Sequence, residues 1–262
     1  MRRVVVLFLA AAALPAQTPA PKLSLDANGS VELVLHRGWP LFVDGLLWHS
    51  LRARKEAAPP LVVGPASGDW ADSVRIVIAG PDGKEALWPL ERLGGPEPGA
   101  LTLPKSGRVP MAWRLDAART AELEPGVYAL AAVIEVGGGS GWNGRAVSAP
   151  VTITVADAPA ELSEQQAAEL ALLRAREASV LGEPARAAGI LLQELSRSPA
   201  NVTLAAAAAA SLEAAGTDEL ALAVAEAALD AFRAKAEAAV LPPAGLVALR
   251  DRLARKLFAV RP

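Results

Sequence analysis

The chain has 262 residues, which exceeds the usual size of one domain and would accommodate two domains and a short leader. Its 26 basic and 28 acidic side chains nearly balance, and neither sign gathers into a block, so nucleic acid is not an expected partner. The absence of cysteine excludes disulfides and thiolate chemistry. All six Trp and the single Tyr precede residue 150, which indicates two different folds.

The first sixteen residues predict a secretory signal peptide. Two arginines precede an apolar run over residues 4–14, and small residues follow, so we expect cleavage after Ala16. The run of 11 residues is shorter than the roughly 20 that cross a bilayer, and no later segment is a candidate transmembrane helix. Export without disulfides favours a bacterial envelope, and therefore a periplasmic or secreted location.

Residues 21–157 predict a domain of packed β-sheets. Short β-branched and apolar runs alternate with Gly, Pro and Asp, and no helical period extends over eleven positions. A turn at 80–84 predicts a hairpin that returns towards Leu87. With no helices to cover them, the sheets must pack on each other. The predicted strands lie within 31–35, 61–63, 74–78, 111–115, 127–136 and 147–155.

Tyr128 carries the most specific fold signal in this half. It follows a Pro-Gly turn near the start of a predicted strand, and Trp113 lies one strand earlier, where a core indole fits. The pattern resembles the tyrosine corner of immunoglobulin-like and fibronectin-like β-sandwiches. The resemblance implies that the phenol hydrogen-bonds to backbone upstream, and it implies a fold rather than an activity.

No catalytic, cofactor-binding or metal-binding residue is predicted. Residues 139–144 have the glycine spacing of a dinucleotide-binding loop, but 145–155 is typical of a strand, so we interpret the glycines as a hairpin loop. His36 and His49 are the candidate bases near neutral pH, and the sequence pairs neither with a nucleophile. We expect a protein that is not an enzyme; a cryptic active site is the alternative.

Trp39, Trp70 and Trp142 are the candidate ligand contacts. Each stands in turn-like surroundings, and exposed indoles at the edge of a sandwich stack on sugar rings or fill a partner's pocket. The competing interpretation is that they seal the ends of the sandwich, since large apolar rings are mostly buried. A carbohydrate or cell-wall binding module is therefore the alternative function.

Residues 158–162 predict a linker, and residues 163–262 predict a helical domain. Ser163 and Gln166 form a capping box, and helix-favouring Ala, Leu, Glu and Arg dominate thereafter. Gly182 and Gly216 lie 34 residues apart, each between two helix-length segments. This spacing resembles the tetratricopeptide (TPR) repeat.

The TPR resemblance implies close helix packing at small side chains and at Leu191. Four leucines at helical spacing in 243–259 predict an amphipathic capping helix. Its basic residues are interpreted as a solvated face, with acidic lipid or an acidic partner as the alternative. The small residues are Ala175, Ala178, Ala187, Ala209, Ala221 and Ala228, and the basic residues are Arg250, Arg252, Arg255 and Lys256.

These features predict a two-domain, all-β plus all-α fold: an immunoglobulin-like β-sandwich followed by TPR-like α-hairpins with a capping helix. The expected function is an exported, non-catalytic protein–protein interaction or scaffold protein of the bacterial cell envelope. The expected partner is another envelope or secreted protein, or a second copy of this chain, with a glycan as the alternative. No cofactor is expected.

Overall fold

The computed structural model describes residues 21–49, 60–65, 68–94, 99–104, 107–138, 140–235 and 241–258. The predicted signal peptide, residues 1–16, lies outside this part of the chain. The chain divides into two compact units, Met1–Ala158 and Pro159–Pro262. The boundary falls inside the segment 158–162 that the sequence predicts as a linker.

The described residues of the first unit form strands, one short helix and one 3-10 turn, Trp70–Ser73. The elements are β1 Pro21–Ala27, β2 Glu32–His36, β3 Leu41–His49, β4 Leu61–Gly64, β5 Val74–Ala79, β6 Glu91–Leu93, β7 Leu101–Leu103, β8 Arg108–Leu115, α1 Ala117–Ala121, β9 Gly126–Val136, β10 Ser140–Gly141, β11 Gly144–Val147 and β12 Val151–Ala156. Each run predicted as a strand overlaps at least one observed strand, and the run 147–155 is divided between the end of β11 and β12.

The strands form three sheets. One has the order β1-β3-β8-β6, and a small one has the order β10-β4-β7. The third, which we call the five-stranded sheet, is built around β9. Ala129 and Leu130 pair with both β5 and β12, so these two strands lie on opposite edges of β9. β11 precedes β12 along the same edge, and β2 pairs in parallel with β12.

The core of the first unit lies between the two larger sheets. β1 contacts β9, β11 and β12, which brings the four-stranded sheet against the five-stranded sheet. Trp113 is a buried core indole, as predicted, and it lies over Gly45. A Cβ at position 45 would be only 2.9 Å from the Trp113 ring, so glycine is required for this approach. Inward side chains alternate along both strands: Leu23, Leu25 and Ala27 in β1, and Leu130, Ala132 and Ile134 in β9.

The predicted turn after β5 forms, but the hairpin is short. Ala79 bridges Glu85 and the N–H of Ala86 donates to the carbonyl of Ile78 at 2.8 Å, whereas residues 86–90 do not continue as a strand. The extended partner of β5 is β9. The turn residues were recognised correctly; the strand that pairs with β5 lies about fifty residues further along the chain, where local sequence gives no indication of it.

The prediction of an all-β first domain is also wrong, because the chain is of mixed α and β structure. Helix α1 lies between β8 and β9, and the Asp116 carboxylate caps it by accepting the N–H of Arg119 at 2.8 Å. The buried hydroxyl of Thr120 donates to the carbonyl of Trp39 at 2.8 Å. A helix of five residues, held by a cap and a tertiary hydrogen bond, needs no extended helical period in the sequence.

The second unit consists of helices in its described residues. Its capping box is confirmed: the N–H of Gln166 donates to Ser163 Oγ at 3.3 Å, and the N–H of Ser163 donates to Gln166 Oε1 at 3.0 Å. None of the described helices is long and apolar enough to cross a membrane. The helices are α2 Glu164–Val180, α3 Pro184–Leu195, α4 Val202–Ala214, α5 Asp218–Lys235 and α6 Ala244–Phe258.

Alanine dominates the contacts between these helices. Each helix packs on the next along the chain, and small side chains let the backbones approach closely. Leu191 is buried with them, as predicted, and α6 packs through Leu246, Leu249 and Leu253. The six predicted packing positions are all buried: Ala175, Ala178, Ala187, Ala209, Ala221 and Ala228.

The identification of these helices as TPR-like hairpins is wrong. Gly182 and Gly216 do occupy the same type of turn, each with a φ of +77°. In both turns the backbone N–H of the next residue donates to a carbonyl near the end of the preceding helix. The lengths of the helices on either side of the two glycines do not repeat. The first pair has 17 and 12 residues, whereas the second has 13 and 18. The glycine spacing therefore repeats a turn rather than a structural unit.

Two alanine substitutions distinguish the turn from a helix interior. Gly182→Ala should lower the free energy of unfolding by about 1–2 kcal/mol, because its φ is left-handed although no atom obstructs a Cβ. Gly189→Ala, in the exposed middle of α3, should raise it by about 0.5–1 kcal/mol. Urea unfolding followed by helical circular dichroism measures both, and changes of the same sign would contradict the turn assignment.

Candidate functional site

An apolar groove lies on the outer face of the five-stranded sheet, away from the core. Ala129 of β9 is in register with Ala79 of β5 on one side and with Thr152 of β12 on the other, and Ala131 is in register with Val77. Paired residues of antiparallel strands point to the same face, so these five side chains form one continuous surface. The groove above them has a volume of about 710 Å³.

The groove exists because a floor of short side chains lies between higher borders. On one side, Pro81 packs over Gly126, where an added Cβ would lie 2.5 Å from the proline ring. The turn that carries Pro81 is closed by the N–H of Gly80, which donates to the carbonyl of Lys84 at 2.7 Å. Pro150, at the break between β11 and β12, also lines the groove. Two prolines therefore border a floor made mainly of alanine.

An ion pair stabilises the turn beside the groove. Lys84 Nζ lies 3.1 Å from the Asp82 carboxylate, which also accepts the backbone N–H of Lys84 at 3.0 Å. The backbone hydrogen bond, and then the side-chain bond to the ammonium, lower the pKa of Asp82 below its ordinary value of 3.8. The carboxylate is therefore ionised at neutral pH, as the turn geometry requires.

Tyr128 also lines the groove, and its phenol forms the predicted hydrogen bond to upstream backbone. The hydroxyl donates to the carbonyl of Glu124 at 2.9 Å, and the ring packs at 4.9 Å from the ring of Trp88. Burial, and then the nearby charges of Glu124 and Asp82, raise the pKa of Tyr128. The local interaction of a tyrosine corner is thus confirmed, while membership of the immunoglobulin-like family stays a prediction.

Two exposed valines, one lining the groove and one beyond it, extend its apolar surface. Val34 of β2, Thr154 of β12 and Val127 of β9 are in register across the sheet, and the two valines are 56% and 55% exposed. Every side chain that lines the groove is uncharged at neutral pH. A concave apolar surface of this size is typical of binding sites. Among the described residues, no group of His, Asp and Glu is arranged to hold a metal ion.

The three candidate tryptophans are buried elsewhere in the first unit. Trp39, Trp70 and Trp142 are 5%, 1% and 5% exposed, and none lines the groove. Trp39 packs edge-on against His36, and the backbone N–H of Trp142 donates to the carbonyl of Val62 at 2.7 Å. These positions suit the interpretation that the indoles seal the domain. They leave little ring surface for a sugar, so the carbohydrate hypothesis gains no support from them.

The two histidines lie on different sheets. His36, on β2, has its Nδ1 3.3 Å from the carbonyl of Asp157, whereas His49 is buried at the end of β3. The glycine-rich segment forms no helix: Ser140 and Gly141 pair with β4. The segment joins β9 to β11, which pair antiparallel from Val136 and Gly144 onward, so its interpretation as a hairpin loop is confirmed, and the pairing with β4 is an addition.

The basic residues of α6 are engaged in contacts on their own unit. Arg252 lies 2.5 Å from the Glu213 carboxylate of α4, and Lys256 lies 2.7 Å from Asp218 of α5. Arg250 and Arg255 both contact Asp251. The pairs of Arg252 and Lys256 join α6 to α4 and α5, and the contacts with Asp251 lie within α6. Together they account for the cluster without a lipid or an acidic partner.

The sequence interpretation missed the groove residues. A signal was present, because residues 127–136 are apolar at almost every position rather than at every second one. Such a run indicates a strand with apolar side chains on both faces. Which face stays open depends on pairing with β5, and that pairing is not evident from the sequence.

Comparisons with known proteins give no family for the chain. No protein-family profile matches it, and no curated protein matches it in sequence. A family 123 glycoside hydrolase from Clostridium perfringens is 11% identical over 56% of this chain and 29% of its own, with a TM-score of 0.29. BcpA, the major pilin subunit of Bacillus cereus, is 13% identical over 52% of this chain and 40% of its own, with a TM-score of 0.27. This chain therefore spans less than half of either protein, and neither likeness bears on its function.

Replacement of Tyr128 tests the corner beside the groove. Tyr128→Phe should lower the free energy of unfolding by about 1–2 kcal/mol at neutral pH, because the Glu124 carbonyl loses its donor. The raised pKa keeps the folded phenol neutral while the unfolded one ionises, so the wild type should lose stability as the pH rises through about 10. The variant should lose less over the same range.

Urea unfolding from pH 7 to pH 11 measures both effects. The exposed neighbour Val127 provides the control, because Val127→Ala should change the free energy of unfolding little and leave the alkaline slope unchanged. Identical pH profiles for the wild type and Tyr128→Phe would contradict the role given to the phenol.

Proposed function

We propose that the protein is a non-catalytic protein–protein interaction or scaffold protein, exported to the bacterial cell envelope, and that its partner binds the groove on the five-stranded sheet. The observation that carries the proposal is the groove itself: about 710 Å³ of apolar concavity with exposed valines beside it. Apolar surface left exposed in this way is costly in water, and binding a partner removes the cost.

The lining of the groove favours apolar side chains as ligands. Its floor offers short methyl groups from Ala79, Ala129 and Ala131, and its borders offer proline rings. The Thr152 hydroxyl is the polar side-chain group that stands on the floor. A polar ligand would lose its water here with few hydrogen bonds in return, whereas valine or leucine side chains would not.

Export is supported by the leader pattern in residues 1–16, and the second unit supports a scaffold role. Its helices pack on one another through alanine contacts and surface ion pairs, so the second unit can serve as a rigid support. The segment 158–162 connects it to the first unit. The first unit then supplies the binding surface. This division of roles requires no reactive group.

Site-specific photo-crosslinking tests the proposal in the cells that produce the protein. A benzoylphenylalanine residue at position 127 should form a covalent adduct with a polypeptide on illumination, because Val127 borders the groove. The matched control is position 220 in the helical unit, where Leu220 is 49% exposed and we expect no adduct. A lack of any polypeptide adduct at 127, with the variant correctly folded, would contradict the proposed function.

A further inference from the structure

We infer that the outer face of the four-stranded sheet binds an acidic polysaccharide, whose sugar ring stacks on Trp48 and whose carboxylates meet Lys22 and Arg108. This site lies on the other large sheet from the groove, so the inference goes beyond the proposed function and does not depend on it. It is carried by the strand register, by the exposure of the three side chains and by the two charges beside the indole.

Trp48 stands between two basic residues in one row of the sheet. It lies near the end of β3, in register with Lys22 of β1 on one side and with Arg108 of β8 on the other. Residues paired in register point to the same face, and the adjacent Leu23 and Leu47 are buried in the core, so this row faces outward. The indole is partly exposed, and both basic side chains are exposed. Unlike the three buried candidate tryptophans, Trp48 therefore offers ring surface to a ligand.

The protein does not neutralise the two charges of this row. Among the described residues, neither Lys22 nor Arg108 forms an ion pair or a side-chain hydrogen bond, and neither forms a cation–π contact with Trp48. Their backbones are two strand spacings apart, about 10 Å, with β3 between them. The row therefore has an apolar centre and a positive charge on each side.

A ligand for this row needs a flat apolar face and a negative charge at its rim. A pyranose ring presents C–H bonds on one face, which stacks on an indole, and a uronic acid carries its carboxylate at the rim of the ring. A ring stacked on Trp48 directs this carboxylate over a neighbouring strand, where Lys22 or Arg108 can bind it. A chain of such sugars that crosses the strands supplies carboxylates to both cations.

The next row of the face widens the apolar platform. Leu46 is in register with Ser24 of β1 and with Pro110 of β8. Leu46 is partly exposed and Pro110 is exposed, and the row lies two residues from Trp48 along β3, about 7 Å away. Its apolar side chains extend the surface beneath a stacked chain, and the Ser24 hydroxyl can exchange hydrogen bonds with sugar hydroxyls.

Acidic residues on the same face distinguish a polysaccharide from other polyanions. Asp26 and Asp44 are in register with each other, four residues from Trp48 along β3. Single-stranded nucleic acid also stacks on aromatic rings beside basic groups, and anionic bilayers also attract basic residues. A phosphate backbone or a bilayer laid on this face would meet both carboxylates, whereas sugar hydroxyls donate hydrogen bonds to carboxylates. The face therefore favours an acidic sugar over a phosphate ligand.

Isothermal titration calorimetry on the mature full-length protein tests the inference. The probes are short oligogalacturonates and oligomannuronates, and the methyl ester of each provides the matched uncharged ligand. We expect the acids to bind with a Kd between about 10 µM and about 1 mM, since the site offers one stacking ring and two exposed cations. The methyl esters should bind at least about tenfold more weakly, and about 0.5 M NaCl should weaken the acids towards the same level.

Three variants separate stacking from charge. Trp48→Ala should abolish measurable binding of acids and esters alike, because the platform is lost. Lys22→Gln combined with Arg108→Gln should weaken the acids at least about tenfold and remove their salt dependence, because only stacking then remains. Both of these side chains are exposed, so the fold is retained even if Trp48→Ala fails to fold. The matched control is Arg75→Gln combined with Arg145→Gln, which removes two exposed charges from the five-stranded sheet and should bind like the wild type.

Several results would overturn the inference. They are a wild type that binds none of the acidic oligosaccharides, equal binding of acids and esters, a folded Trp48→Ala variant that binds like the wild type, and equal weakening by the two double variants. Tighter binding of oligothymidylate or of phosphatidylglycerol vesicles that also requires Trp48 would assign the face to a phosphate ligand instead. None of these results affects the crosslinking at position 127, which tests the groove alone.

Discussion

The pairing of β9 with strands on both edges is the constraint on which the first unit depends. Its eleven residues bind β5 on one edge and β11 and β12 on the other, and its inner face packs on β1. A strand in the middle of a sheet that also forms the core must be apolar on its inner face. β9 is apolar on its outer face as well from Val127 to Val133, and Ala129 and Ala131 there are small. The core explains the first property, and the proposed binding partner would explain the second.

The second unit depends on a different constraint, the close approach of helices through alanine. Alanine favours helix, and it brings backbones near each other without large side chains. Ion pairs from α6 to α4 and α5 add to these contacts at the surface. The same composition that makes the helices easy to recognise also makes their arrangement hard to predict, because many positions on an alanine-rich helix are equivalent as contact points.

The sequence predicted what depends on neighbouring residues. The capping box at Ser163, the phenol hydrogen bond of Tyr128 and the turn after β5 were all evident from local chemistry. It failed where the outcome depends on distant residues: the partner of β5, and the helix lengths around Gly182. The tryptophans illustrate a third case, because their surroundings resembled loops while tertiary contacts buried them. The groove could not be predicted for the second of these reasons, because its floor is formed by β5, β9 and β12, whose pairing is not evident from the sequence.

We propose that a partner covers the outer face of the five-stranded sheet in the functional protein. The chain contains no cysteine, so a single cysteine at position 127 can report on that face, with one at position 220 as the control. The direct measurement is the rate at which each thiol reacts with a membrane-impermeant maleimide, in the native envelope and in dilute purified protein. We expect the thiol at 127 to react much more slowly in the envelope than in dilute solution, and the thiol at 220 to react at similar rates in both. Equal protection of both positions, or none at 127, would contradict it.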